Sequence, residues 1–208
     1  MYSEIKEYLI SNLSEERYNH TLSVCEECRV LSPYFGLSGE ETDTLCLSAL
    51  LHDITREKNL DAQIELCRVY NIDYTEENIA FPMLLHQKTG GAYARDIFGT
   101  VVSDEVIKNI STHTSGAPNM TTLQKLLFLA DSTEPLRKHK SCMELRTFLH
   151  KNLKDEKESN FHLLDKACLR SLDGTIMHLV DKSIPIDIQT LKARNFLLLS
   201  EVKNNEKH

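Results

Sequence analysis

The stretch SALLHDITRE, Ser48 to Glu57, ends an apolar helical run on two adjacent side chains that can each bind a metal ion, His52 and Asp53. Burying an imidazole or a carboxylate without a partner is expensive. The pair is therefore either a hydrogen-bonded core feature or half of a metal site. A His-Asp pair is common by chance, so the decision rests on what the rest of the chain places around it.

The surroundings read as helical. Ser38 to Glu41, SGEE, forms a capping box with Glu41 at the third position. The helix it opens buries Leu45, Cys46, Ala49 and Leu50, and its last turn reaches His52 and Asp53. Upstream, Ser14 caps a helix that starts with Glu15 and Glu16 and carries Thr21, Val24, Cys25, Cys28 and Leu31 on one face. Downstream, Leu60, Ile64 and Cys67 mark another. Pro82 fits the first turn of a short helix that ends near His86, with Gly90 and Gly91 breaking it. Ser103, Asp104 and Glu105 open a helix with Ile107 and Ile110 facing in. SGAPN (115–119) is a loop, and TTLQKLLFLAD then carries Leu123, Leu126, Leu127 and Ala130 until Pro135 stops it. Further helices are expected around Leu145 and Phe148, from about Phe161 to Leu179, and over IPIDIQTLKARNFLLLS. No segment alternates with period two beside turn signals. The expectation is a single all-α domain over residues 1–208.

Composition narrows the function. The 208 residues are 41% hydrophobic and 26% charged, an ordinary globular mix with enough chain for a sizeable core. The formal net charge of -7 argues against sequence-independent nucleic-acid binding, which relies on Lys and Arg neutralising phosphates. A bound metal would reverse the local sign, so an acidic chain can still hold an anionic ligand. No signal-peptide pattern opens the chain, and no apolar run approaches the ~18 residues of a membrane span. The protein reads as soluble and cytoplasmic, without membrane or nucleic-acid partners. Six cysteines are scattered at 25, 28, 46, 67, 142 and 168. Cys25 and Cys28 form one CxxC with no second pair to complete a zinc site, so they read as core residues on one helix face.

Four more side chains share the character of His52 and Asp53. His20 precedes Val24 by four residues, His86 ends FPMLLH, His113 follows Ile110 by three, and Asp131 follows Leu127 by four. Each falls where its helix should face other helices. Singly, each is an ordinary hydrogen-bonded core or cap residue. Together, two inward carboxylates among four imidazoles are most economically compensated by a bound divalent cation. The remaining histidines, at 139, 150, 162, 178 and 208, read as surface or ordinary core residues.

The order His, His-Asp, His, His, Asp resembles the HD-domain superfamily of metal-dependent phosphohydrolases, which folds as a helical bundle. RYNHTLSV, SALLHDITRE, LLHQKTGGAYARDIFG and ISTHTSGAPNMTTLQKLLFLADSTEPLR together resemble the bacterial YqeK family, over about residues 5–185. That resemblance implies a symmetrical bis(5'-nucleosyl)-tetraphosphatase, cleaving diadenosine tetraphosphate to two ADP. It also implies His20, His52, Asp53 and Asp131 on a first metal, with Asp53 bridging to a second held by His86 and His113. In a single-metal variant, His86 and His113 contact substrate phosphates instead. Iron is implied first, one or two ions, with manganese or zinc as the other candidates, because mixed imidazole and carboxylate ligation suits a transition metal better than magnesium. The chain departs from the family at Gln87, where glycine commonly follows the third histidine, and at Arg56, where lysine is common.

Asp53, Asp131, His86 and His113 are thus the expected catalytic residues, acting on a water that a bound cation makes nucleophilic. Thr114 is placed to donate to a phosphate, and Arg56 and Arg137 to clamp phosphates, since a guanidinium matches phosphate geometry. Plainer roles compete: Thr114 as a helix-end cap, Arg137 paired with Glu134 at the surface, Arg56 paired with Glu57. The alternatives to a tetraphosphatase are an HD phosphohydrolase for a nucleoside polyphosphate or cyclic nucleotide, a di-iron oxygenase, and a nucleotide-sensing module without turnover. The sequence leaves a homodimer open.

Overall fold

The computed structural model describes residues 2–154 and 157–205. These form α1 (Tyr2–Asn12), α2 (Glu15–Leu31), α3 (Gly39–Leu51), α4 (Leu60–Val69), α5 (Glu76–Ala80), α6 (Leu85–Phe98), α7 (Asp104–Ile110), α8 (Thr122–Thr133), α9 (Lys140–Asn152), α10 (Lys157–Asp181) and α11 (Ile188–Asn205). Among the described residues there is no strand, as the helical periodicity requires. His208 lies outside the described residues.

Local chemistry starts the helices where the sequence marks them. Ser14 accepts the amide of Arg17, and Ser38 and Glu41 close their capping box. Ser103 caps α7, and capping boxes also open α5 (Thr75 with Asn78) and α8 (Thr121 with Gln124). Each cap satisfies a first-turn N–H that has no partner within the helix. The Ser14 amide and hydroxyl also meet the Glu57 carboxylate at 2.7 and 2.6 Å, which ties the start of α2 to the turn after Asp53.

The apolar faces then meet. α2 lies against α3 and α8, α3 against α7, and α6 against α7. Leu9, Val24, Leu31, Leu45, Leu50, Leu126 and Leu129 belong to one contiguous buried cluster. Cys25 and Cys28 are free and buried in it, as the unpaired CxxC implies. α10 covers α8 and α9, and α11 packs on α10.

One expectation fails. The helix carrying His86 does not end there, and Gly90 and Gly91 do not break it. Pro82–Leu84 is a short 3-10 turn, and α6 runs from Leu85 through both glycines to Phe98. The glycines serve packing instead of turning. A Cβ on Gly91 would sit 3.0 Å from Ile107 Cα, and one on Gly90 would sit 3.3 Å from Ile110 Cγ2 and 3.4 Å from the His52 carbonyl. Only bare backbone lets α6 approach α7 this closely, and that approach brings His86 beside His113. Two helices go beyond the expectation: α1, and the short α5, which Thr75 and Asn78 open with a capping box. None of the described helices is long and apolar enough to cross a membrane.

Candidate metal centre

Five helices deliver the six residues to one place. His20 comes from the middle of α2, and His52 is the C-terminal cap of α3 with Asp53 in the turn that follows. His86 lies in the first turn of α6, His113 in the turn after α7, and Asp131 near the end of α8. All six come together. The Asp53 oxygens divide between two groups. Oδ2 lies 3.3 Å from His52 Nε2 and 3.7 Å from His20 Nε2, while Oδ1 lies 3.2 Å from His86 Nε2 and 3.8 Å from His113 Nε2. Asp131 Oδ1 is 2.9 Å from His20 Nε2 and 3.7 Å from His52 Nε2. Ligand atoms of His20, His52 and Asp131, and of His52, Asp53 and His113, lie within 4.8 Å of one another in each set.

The ring tautomers follow from what each Nδ1 faces. His52 Nδ1 meets the Ala49 carbonyl at 2.7 Å, His113 Nδ1 meets the Ile110 carbonyl at 2.6 Å, and His86 Nδ1 meets the Met83 carbonyl. His20 Nδ1 meets the Glu134 carboxylate at 3.1 Å. Carbonyls and carboxylates only accept, so each Nδ1 carries a hydrogen. Every neutral ring then turns an Nε2 lone pair towards the carboxylates and towards the other rings. His86 Nε2 and His113 Nε2 face each other at 2.9 Å.

Lone pairs opposing lone pairs and carboxylates call for a cation. His52 Nε2 is fully buried and finds no hydrogen-bond partner among the described residues. Burial opposes protonation of this ring, yet Asp53 and Asp131 outweigh it and push its pKa up to about 10, so the two carboxylates draw a positive charge to Nε2, a proton or a metal ion in its place. Burial likewise opposes ionisation of Asp53, but His52, His113 and His86 hold its carboxyl well below the usual range. His86, where burial dominates, falls to about 4. A centre that keeps two carboxylates ionised and presents four imidazole nitrogens fits a transition-metal ion. Orientation of each ring through its other nitrogen is the usual support for such ligands.

The proposed phosphate contacts surround this centre. Arg137 does not pair with Glu134. Its Nη2 lies 2.6 Å from Asp131 Oδ1, and its Nε donates to the Asp131 carbonyl. Arg56 does not pair with Glu57 either; it donates at 3.0 Å to the Met83 carbonyl, the same acceptor that orients His86. Thr114 does not cap α7, whose cap is Ser111. Its hydroxyl lies 3.3 Å from His86 Nε2 and its amide donates to Gln87.

Three residues hold the centre in roles that the sequence did not assign them. Glu134 orients His20, Arg17 holds Asp53 Oδ2 at 2.6 Å, and Gln87 accepts the amides of Thr114 and Ser115 while donating to the Ser115 hydroxyl. Glu134 follows Asp131 by three residues and Arg17 precedes His20 by three, so same-face spacing was the available signal for both. Gln87 offered no such signal, because its partners lie 27 and 28 residues away.

Other histidines have other partners. His150 pairs with Glu27, His139 and His178 stack edge-on, and His162 is exposed.

Comparison with known proteins agrees with this geometry. The HD domain family matches residues 17–136, a span that contains all six residues. HD-domain hydrolases are metal-dependent, and the donor set here is able to hold a metal ion. The chain is 32% identical to a symmetrical bis(5'-nucleosyl)-tetraphosphatase of Halalkalibacterium halodurans, over 91% of this chain and 93% of that one. It is 27% identical to the protein of that name from Staphylococcus aureus, over 91% and 90%. The crystal structure of a predicted HD superfamily hydrolase involved in NAD metabolism from Clostridium acetobutylicum superposes with a TM-score of 0.84 at 31% identity, covering 96% of this chain and 98% of that one. The chain therefore belongs to the HD domain family and, within it, to the family of the symmetrical bis(5'-nucleosyl)-tetraphosphatases.

Proposed function

We propose that this protein hydrolyses diadenosine tetraphosphate at its centre, giving two ADP, the activity its relatives' names carry. The observation that carries the reading is the convergence of four imidazole nitrogens, the buried Asp53 carboxylate and the half-buried Asp131 carboxylate on one point, with arginines beside them.

We assign iron to the centre, with manganese and zinc as the other candidates. His20, His52, Asp53 and Asp131 would hold one ion, and Asp53, His86 and His113 a second, because the two Asp53 oxygens face different histidine pairs. A bound cation supplies a nucleophilic water at neutral pH and neutralises charge growing on the phosphoryl oxygens. The chain's own groups do the rest. Asp53 and Asp131 stay ionised and accept hydrogen bonds from the attacking water. Thr114 donates to a phosphoryl oxygen, and Arg56 and Arg137 grip neighbouring phosphates through their planar forks. The P–O bond between the two central phosphates breaks, and the bridging oxygen leaves with the far ADP. The water oxygen stays on the near ADP; of the water's two protons, one goes to the bridging oxygen of the far ADP and the other to solvent.

Metal-loaded protein incubated with diadenosine tetraphosphate in ¹⁸O-labelled water tests the reading. Two ADP with label in one of them is the expected product pattern. AMP plus ATP would move the attack to an outer phosphorus and reject symmetric cleavage. Turnover of a cyclic or simple nucleotide alone would favour a different HD phosphohydrolase.

A further inference from the structure

We infer that Arg17 is a third phosphate-binding guanidinium, parked on Asp53 and released to the substrate when a cation engages that carboxylate. The inference rests on the phosphohydrolase reading and adds a residue to it. Arg17 sits in the first turn of α2, one helical turn before His20 and on the same face. Its Nη1 touches Asp53 Oδ2, the oxygen that also faces His20 and His52.

Arg17 is underused where it lies. A guanidinium has five N–H donors. Arg137 uses two of its nitrogens on Asp131, and Arg56 is anchored on the Met83 carbonyl. Arg17 meets Asp53 through Nη1 alone, and its Nε is buried with no partner among the described residues. An unsatisfied buried N–H is costly, and an anionic oxygen arriving beside Asp53 would satisfy it. The side chain is 23% exposed, next to an Asp131 that is 17% exposed, whereas Asp53 and the histidines are almost fully covered. The centre therefore meets solvent where Arg17, Asp131 and Arg137 lie.

Charge counting points the same way. Asp53, Asp131 and Glu134 supply three negative charges against three from Arg17, Arg56 and Arg137. Burial lowers the Arg56 pKa, and the Arg17 and Arg137 charges add to that while Asp53 and Asp131 oppose it, so the three guanidiniums share one field. Each divalent ion adds two more positive charges and competes directly for Asp53. At contact distance a guanidinium and a cation on one carboxylate repel each other, and a polyphosphate offers the displaced guanidinium a new partner.

Titration calorimetry of the metal-loaded protein with inorganic pyrophosphate, alongside elemental analysis, tests the role without relying on turnover. Arg17→Ala and Arg17→Gln should keep the parent's metal content and helical circular dichroism, and weaken pyrophosphate binding about 10- to 100-fold. Arg17→Lys should recover part of the loss, because lysine restores the charge without the fork. Unchanged pyrophosphate affinity in Arg17→Ala and Arg17→Gln overturns the inference. So does loss of metal in both, which would make the Arg17–Asp53 pair a support of the ligand set. Pyrophosphate binding that depends on Arg17, in a protein that leaves diadenosine tetraphosphate uncut, would sink the tetraphosphatase reading and sustain this one.

Discussion

On the His20–His52–Asp131 side of the centre the supporting groups are charged apart from the Ala49 carbonyl behind His52, whereas on the His86–His113 side the rings and turn are held by carbonyls, an amide and two absent side chains, with Arg56 reaching only the Met83 carbonyl among the described residues. Glu134 orients His20, Arg137 grips Asp131, and Arg146 ties down the carbonyls of Thr133, Glu134 and Arg137. Across the centre, the Met83 and Ile110 carbonyls orient the rings, Gln87 grips the turn after His113, and Gly90 and Gly91 let α6 close on α7. Charged supports act through space and respond to protonation. Packing supports act at contact and fail by overlap. The two sides should therefore break in different ways.

Asp53 faces both groups, so its loss should erase the distinction. Asp53→Ala is expected to strip metal from both sides and to lower turnover about 10³-fold or more, with helical circular dichroism retained. Full metal content in this variant would remove the basis for a shared centre.

The next two changes separate the sides. Glu134→Gln keeps an acceptor for His20 Nδ1 but removes its charge, and metal affinity should fall about 10-fold or more with little change in melting temperature. Gly91→Ala drives a Cβ to 3.0 Å from Ile107 Cα, which is backbone and cannot swing away. Overpacking of this kind costs about 1–3 kcal/mol, or roughly 2–12 °C in Tm for a chain of this size. It should also displace His86 and, on the two-ion assignment proposed above, lower the occupancy of the His86–His113 side first. Gly39→Ala is the control, since a Cβ there meets nothing within 4 Å. If Glu134→Gln destabilised the fold while Gly91→Ala left it intact, the contrast between the sides would be reversed.

The same contrast explains what the sequence let one read. The caps at Ser14, Ser38 and Ser103 are local chemistry, visible within four residues, and the helices they start are where the pattern puts them. The six centre residues were legible because each interrupts an apolar helical face with a group that burial penalises. Gly90–Gly91 misled because a glycine pair is a breaker by local propensity, while its cause here is a neighbouring helix met only in three dimensions. Gln87 stood out as a departure from its family, but its grip on Thr114 and Ser115 depends on how α6 lies against the turn after α7. The charged supports, Glu134 and Arg17, were one helical turn from known positions and could have been found by extending the face.

The smallest effect probes the outer edge of the charged side. Glu27 is buried on α2 and accepts from the Thr133 hydroxyl at 2.8 Å, one residue before Glu134, and its Oε1 also meets His150 Nε2 at 2.8 Å. The hydrogen bond to Glu27 raises the His150 pKa, burial opposes it, and the Glu27 charge adds to it. A raised folded-state pKa means the folded protein holds this proton more tightly than the unfolded chain. The stabilisation is complete below the ordinary imidazole value of about 6.5 and fades as pH climbs through the raised one. His150→Gln can still donate to Glu27 but cannot carry the charge. The parent's advantage in Tm over His150→Gln should therefore be greatest in mildly acidic buffer and shrink towards alkaline pH. His150 is a third exposed, so solvent screening keeps the effect small. Melting curves of both proteins and of Gly91→Ala, across that range, make the comparison. The Gly91→Ala deficit should stay level with pH, because overlap with Ile107 does not titrate. A His150→Gln difference equally flat would mean that the contact is a neutral hydrogen bond, and that the charge dependence of this side stops at Glu134.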